Sequence, residues 1–277
     1  MLQRMTCALW LICCVWQASA QDEFPNAVVP ATGWGMTYVS PPGASLWSVS
    51  GLAVQLSEQE LPAIGISQSM RYGLPELSTT TIAGAGVIGN TSIATALSRS
   101  GPTSYRLLSW RMALVRSLTP QWRCGLSAGF LWLRRYENYR GIQSLILLPS
   151  MEIKIRDGLT LLAGWNRPGF FTKKSKDDRT PHAGLITGLL FRGQGPVTFC
   201  LEWSKPWAQR PSLNTGLAWK AKESVVLYLG RSSQPGTICT GISLHHGSML
   251  LNMAIQMHTV LGASPACGVL FSNPETP

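Results

Sequence analysis

The chain has 277 residues, a formal net charge of +10 and only 13% charged residues. With no basic helix and no recognised nucleic-acid motif around its cations, this composition argues against a nucleic-acid partner. Cations at predicted strand ends and loops, such as Arg134, Arg135 and Arg140, have lipid phosphates or water as natural neighbours. Past the amino terminus no apolar run approaches about twenty residues, so membrane entry would require a closed barrel instead of a helix.

Residues 1–20 carry Arg4, an apolar stretch over 8–16 and the small-residue site Ala18-Ser19-Ala20, the pattern of a cleaved secretory signal peptide. Cys13 and Cys14 raise a lipoprotein alternative, which Ile12 disfavours because a small residue normally precedes the lipidated cysteine. Segment 21–61 differs in texture, mixing Gly33, Gly35, Pro41, Pro42 and Gly43 with Trp34 and Trp47. It is expected to fold in or under the following domain as a plug, with a disordered leader as the alternative. Trp34, Met36, Leu46 and Trp47 are the residues that would fill an interior or line a small apolar ligand pocket.

From residue 62 the pattern changes to period two. Val197, Phe199, Leu201 and Trp203 alternate with Thr198, Cys200, Glu202 and Ser204, which places an apolar stripe on one sheet face and polar groups on the other. Repetition of this motif predicts strands near 62–70, 80–87, 92–98, 107–115, 123–135, 145–154 and 159–165. The second half continues near 182–191, 197–203, 212–219, 224–229, 238–245, 249–257 and 262–271. About fourteen strands, alternately joined by compact turns (Gly89-Asn90, Asp157-Gly158, Gly193-Gln194-Gly195, His246-Gly247) and by longer connections, predict an all-β, up-and-down transmembrane barrel. It would occupy 62–272, with 273–277 as a tail. The longest connection, 166–181, holds Lys173, Lys174, Lys176, Asp177, Asp178 and Arg179. A soluble sandwich has no reason to sort loop length by parity. Cys124, Cys200, Cys239 and Cys267 fall in four different predicted strands without metal or redox spacing, and are expected to be isolated small side chains.

Ala31-Thr32-Gly33-Trp34-Gly35-Met36-Thr37-Tyr38-Val39 followed by Gly51-Leu52-Ala53 resembles the opening motif of FadL-like outer-membrane proteins of Bacteroidota, particularly the PorV/PorQ group. Tyr72-Gly73-Leu74-Pro75-Glu76-Leu77-Ser78, Ser100-Gly101 with Tyr105, and Leu261-Gly262-Ala263-Ser264-Pro265 resemble later motifs, and Phe271 matches a terminal aromatic read by assembly machinery. Ser48 and Ser50 stand where the family carries asparagine and alanine. The resemblance implies a fourteen-stranded barrel with a tucked amino-terminal segment. It covers both carriers of hydrophobic compounds and components associated with type IX secretion.

Catalysis has little support. His182, His245, His246 and His258 fall near predicted strand ends, and Ser243 with His245 is only a same-face pair. Adjacent His245 and His246 point to opposite faces, so no metal site or cofactor is expected. Pro265 inside the closing strand cannot donate a ladder hydrogen bond, and with Gly262 it marks a bulge or a lateral seam near the outer end. Ser127, Thr198, Glu202, Asn214, Asn252 and Gln256 are expected to face the lumen. Two functions fit: an outer-membrane carrier or occluded channel for small hydrophobic molecules, and a non-transporting scaffold or accessory of type IX secretion. Outer-membrane lipid and lipopolysaccharide are expected partners, with a hydrophobic small molecule or a secretion or surface protein according to the reading. A filled lumen with aromatic outer loops, as at Phe170-Phe171 or Pro206-Trp207, would favour the scaffold. A soluble secreted β-protein is the third class.

Overall fold

The computed structural model describes residues 45–56, 61–102, 104–135, 142–168, 184–193, 195–206, 210–234 and 236–272. The signal segment, Trp34, Met36, Phe170, Phe171, Lys173, Lys174, Lys176, Asp177, Asp178, Arg179, His182, Trp207 and the tail lie outside the described residues.

Among the described residues the chain forms fourteen strands: β1 (Ala63–Met70), β2 (Ser78–Ile88), β3 (Thr91–Ser100), β4 (Tyr105–Ser117), β5 (Trp122–Arg135), β6 (Ile142–Arg156), β7 (Leu159–Pro168), β8 (Gly184–Arg192), β9 (Val197–Pro206), β10 (Ser212–Lys222), β11 (Val225–Ser232), β12 (Thr237–His246), β13 (Met249–His258) and β14 (Gly262–Ser272). Each pairs antiparallel with its sequence neighbours, and β1 pairs with β14 to close the barrel. Several strands outrun the apolar stripe that predicts them, β9 continuing through Ser204–Pro206 and β10 through Lys220–Lys222. Ladder hydrogen bonds persist there after the side chains have turned polar. Two register shifts, at Lys154/Arg156 and Lys220/Lys222, lie at the rim that carries the termini.

That rim also holds the tightest connections. Gly89-Asn90, Asp157-Gly158, Glu223-Ser224 and Gly247-Ser248 each join two strands, and Gly89 and Gly247 have the positive φ of 58° that such hairpin turns require. The opposite rim carries wider connections, including the paired 3-10 turns Arg71–Gly73 and Pro75–Leu77 between β1 and β2. Short turns beside the termini and longer loops opposite define periplasmic and outer ends for an outer-membrane barrel.

Side chains obey the alternation throughout. Outward positions include Ile64, Ile82, Leu97, Leu229 and Ile238, each about half exposed or more. The apolar face encircles the barrel, far beyond the few hundred Å² of contiguous apolar surface a water-soluble monomer shows, roughly 300–600 Å² for the largest patch. Outward polar groups are tied to the wall: Trp110 Nε1 donates to Thr95 Oγ1 at 3.1 Å, and Thr95 and Thr240 hydroxyls donate to the Arg111 and Tyr228 carbonyls. Polar groups facing hydrocarbon need such internal partners. Trp122, Phe191, Trp219 and Phe271 line the periplasmic rim on this face, and Trp132, Trp165 and Trp203 line the outer one.

Candidate functional site: the lumen and its plug

The segment before β1 lies inside the barrel. Two short 3-10 turns, Ser45–Ser50 and Ala53–Gln55, fill its periplasmic half. Leu46, Trp47, Val49, Ala53 and Leu56 pack on small inward residues, among them Ala83, Ala94, Ala96 and Ala113, together with Leu250 and Leu270. Leu52 and Val54 reach the far wall at Leu148, Leu162, Leu190, Ala218 and Tyr228. Three inward glycines make the room. A Cβ on Gly65 would stand 3.0 Å from Trp47, one on Gly164 2.4 Å from Leu52, and one on Gly125 2.8 Å from the Val54 backbone nitrogen.

The plug is hydrogen-bonded to one wall. Arg111 of β4 donates from Nη1 to the Ser50 carbonyl, its stem lying over Gly129, whose missing side chain leaves the space. Arg123 of β5 donates from Nη2 to the Leu56 carbonyl at 2.5 Å and sits 3.5 Å from the Glu152 carboxylate of β6. Ser127 donates to the Val49 carbonyl at 3.2 Å. Ser150 of β6 accepts from the Val54 amide and donates to the Gly125 carbonyl, both at 3.3 Å. These contacts satisfy backbone groups that a 3-10 turn leaves open at its ends.

Outward of the plug the lumen divides into two chemistries. Leu107, Leu131, Leu133 and Ile146 form a buried apolar arc across β4–β6, interrupted by Ser109 and Ser144, which lie opposite Leu131 on either side with buried hydroxyls that have no hydrogen-bond partner. The remaining wall is largely hydroxyl and amide, paired across strands: Thr79 with Ser100 at 2.7 Å, Thr81 with Ser98 at 3.1 Å, Ser204 with Ser212 at 2.6 Å and Gln256 with Thr237 at 3.1 Å. Asn214 donates to Glu202 Oε1 at 2.8 Å, and Ser243 pairs with Asn252. Glu202 Oε2, Asn214 Oδ1 and Asn252 Nδ2 are buried without a hydrogen-bond partner.

The sequence-predicted positions divide accordingly. Leu46 and Trp47 are 0% and 2% exposed within the plug. Ser127, Thr198, Glu202, Asn214, Asn252 and Gln256 lie on the inward face. Pro265 faces outward and makes no bulge, because the β13–β14 register runs without a shift from Met249↔Phe271 to His258↔Gly262. On its other side, however, the β1–β14 register stops at Ser69↔Ala266. Beyond that point Tyr72, at a left-handed φ of 54°, spans the joint: its amide donates to Ser264 Oγ at 2.8 Å and its ring meets His258 edge-on at 6.2 Å. Among the described residues the four cysteines are free thiols, Cys200 and Cys239 inward and buried, Cys267 outward and exposed.

Sequence reasoning placed cations at strand ends, and Arg111 corrects it, being buried midway along β4 where the plug needs a long donor. It also missed the apolar arc. Its signal was present where alternation fails, in the run Phe130-Leu131-Trp132-Leu133, which is apolar on both faces.

A closed, fourteen-stranded antiparallel barrel of this kind is the fold of outer-membrane β-barrels. No family model matches the chain, and no curated protein does. Among solved structures the chain is similar to the CymD monoaromatic hydrocarbon channel, at 9% identity over 90% of this chain and 98% of that one, with a TM-score of 0.64. It is also similar to the toluene transporter TodX of Pseudomonas putida, at 10% identity over 89% and 98% with a TM-score of 0.63. For the outer membrane protein Omp33 of Acinetobacter baumannii the values are 9%, 78%, 100% and 0.52. At such identities the likeness is one of fold.

Proposed function

We propose that this chain is an exported, integral outer-membrane barrel acting as an occluded, FadL-like channel or carrier for small hydrophobic molecules. The observation that carries the reading is the division of the outer lumen into an apolar arc, Leu107, Leu131, Leu133 and Ile146, and a polar wall whose groups mostly satisfy one another. An apolar solute resting on the arc strips few hydrogen bonds from that wall, so its own desolvation drives binding. The plug bars a straight path to the periplasm. Exit then requires movement of the plug or passage between β1 and β14 near Gly262 and Pro265, where their pairing ends. The fold likeness to two hydrocarbon channels supports this class. Export rests on Arg4 and Ala18-Ser19-Ala20, and assignment to the PorV/PorQ group of Bacteroidota rests on the motifs around Gly33 and Leu261.

The filled periplasmic half supports a second reading, a non-transporting scaffold of type IX secretion. Organic extraction of the purified barrel followed by mass spectrometry separates the two. A hydrophobic compound at near-equal molar amount, lost in Leu133→Glu, supports the carrier. A correctly inserted barrel with no such compound, and no uptake of a monoaromatic hydrocarbon in expressing cells, would sink it and leave the scaffold.

A further inference from the structure

The apolar arc of the outer lumen is broken at a single rank of the sheet. Ser109 of β4 and Ser144 of β6 both lie directly opposite Leu131 of β5, one on each side of it. Leu107 and Leu133 form the next pair toward the outer opening, and Ile146 stands opposite Gly129 on the plug side. All of these face the lumen, since Trp110, Phe130 and Trp132, which alternate with them, are exposed on the outer belt. Ser109 and Ser144 are 1% and 2% exposed, and neither hydroxyl has a hydrogen-bond partner. Ser98, across the β3–β4 register from Ser109, accepts from Thr81 instead.

Elsewhere in the outer lumen hydroxyls pair with one another, as Thr79 does with Ser100 and Ser204 with Ser212. The other buried, unpartnered hydroxyls among the described residues, Ser48, Ser50 and Ser92, lie in the plug or near the periplasmic turn Gly89-Asn90. A buried hydroxyl without a partner costs free energy that an alanine in its place would not. A wall that served only hydrocarbons would gain by losing both serines. A site built to hydrogen-bond a solute hydroxyl keeps them, and discriminates against analogues that leave its own polar groups unpaired. Two strand spacings put the serines about 10 Å apart, the reach of one aromatic ring with a polar substituent at each end. Serine hydroxyls both donate and accept, which matches a neutral hydroxyl on the solute. Arg111 Nε, on the next inward residue of β4, also lacks a partner, but its Nη1 is committed to the Ser50 carbonyl in the plug. A carboxylate is therefore the rival head group.

We infer that Ser109 and Ser144 are the polar contacts of a binding site for hydroxylated monoaromatic solutes, whose ring rests on Leu131 while its hydroxyl groups pair with the serines. The inference rests on the channel reading above and narrows its substrate class from hydrocarbons to phenols. The test is equilibrium dialysis of the full barrel in deoxygenated, matched detergent with para-xylene, para-cresol and hydroquinone, which exchange methyl for hydroxyl stepwise on one ring. Wild type is compared with Ser109→Ala, Ser144→Ala, the double change, and Ser212→Ala, whose hydroxyl is paired within the far wall.

Partition of a probe into detergent is the same for every variant, so the ratio of its dissociation constant to that of para-xylene isolates the serine hydroxyls. Hydroquinone, engaging both serines, should lose roughly fivefold in either single variant and roughly twenty-five-fold in the double; para-cresol, free to use either, should lose about twofold and about fivefold. para-Xylene should bind the double variant at least as tightly as wild type, and Ser212→Ala should leave every ratio unchanged. Unchanged ratios in the double variant, with para-xylene still bound, would overturn the hydroxyl site and leave the channel reading standing. Absence of binding of all three probes to wild type would take the channel reading down with it. Equal losses for all three probes would mark the serines as packing groups and overturn the inference. So would tighter wild-type binding of para-toluate than of para-cresol, abolished in Arg111→Met, which would assign the site to carboxylic acids. Retained heat-modifiability shows that each variant is folded.

Discussion

Gly125→Ala adds one methyl group where the wall lies directly against the plug backbone. The new Cβ would stand 2.8 Å from the Val54 amide nitrogen, 3.2 Å from Val54 Cα and 2.8 Å from Ser150 Oγ. Ordinary contact needs about 3.5–4.0 Å, so either the plug backbone or β5 must give by more than half an ångström. Overpacking of this kind costs about 1–3 kcal/mol. The displaced Val54 amide also loses its bond to Ser150, about 1 kcal/mol more. Alanine restricts the unfolded chain and returns about 0.4–1 kcal/mol, too little to change the sign. The net penalty, about 1–3.6 kcal/mol, falls on docking of residues 46–56. Amide exchange in that segment should accelerate roughly five- to four-hundredfold relative to wild type. Gly86→Ala, with nothing within 4 Å of its Cβ, is the matched control and should leave exchange unchanged. Equal exchange in the two variants would refute the packing argument.

Arg111→Met keeps a stem over Gly129 but removes the charge-assisted bond to Ser50, a loss of about 1.5–3 kcal/mol that should appear as more frequent conductance openings in planar bilayers. Glu202→Gln should hold or raise the thermal midpoint by about 1 kcal/mol equivalent, because the amide supplies a donor for the unpartnered Asn214 Oδ1; Asn214→Leu should lower it. A midpoint that falls in Glu202→Gln would contradict this. On the outward face, Leu229→Arg midway along β11 should cost about 2–4 kcal/mol of folding into vesicles, whereas Ile88→Arg at the rim should cost about 1 or less. Efficient folding of the Leu229 variant as a monodisperse protein in water would remove lipid from the account of that face.

The wall of this barrel was legible because one rule, period two, repeats in strand after strand. Val197, Phe199, Leu201 and Trp203 point outward as their spacing predicts, and Glu202 inward. The plug was legible as a change of texture and as the pair Leu46 and Trp47. Its attachment was not, because the turn Ser45–Ser50 accepts through main-chain carbonyls that have no sequence signature. Gly65, Gly125 and Gly164 were equally silent, since the absence of a side chain says nothing about which partner occupies the gap. The β1–β14 register ends at Ala266, next to Pro265, and the bridging of that joint by Tyr72 depends on a backbone conformation that tyrosine rarely adopts.

The one-sided attachment of the plug also has a consequence for biogenesis. Arg111, Arg123, Ser127 and Ser150, which hold it, all belong to β4–β6, and the segment they hold comes before every strand in the chain. A nascent arc of the first six strands therefore already contains all four of these anchors. The remaining strands then have to curl around an occupied interior before β14 can meet β1. Seen in this way the segment is a mandrel on which the later strands are wound, and a barrel that closed without it would have to shut around the uncompensated Arg111.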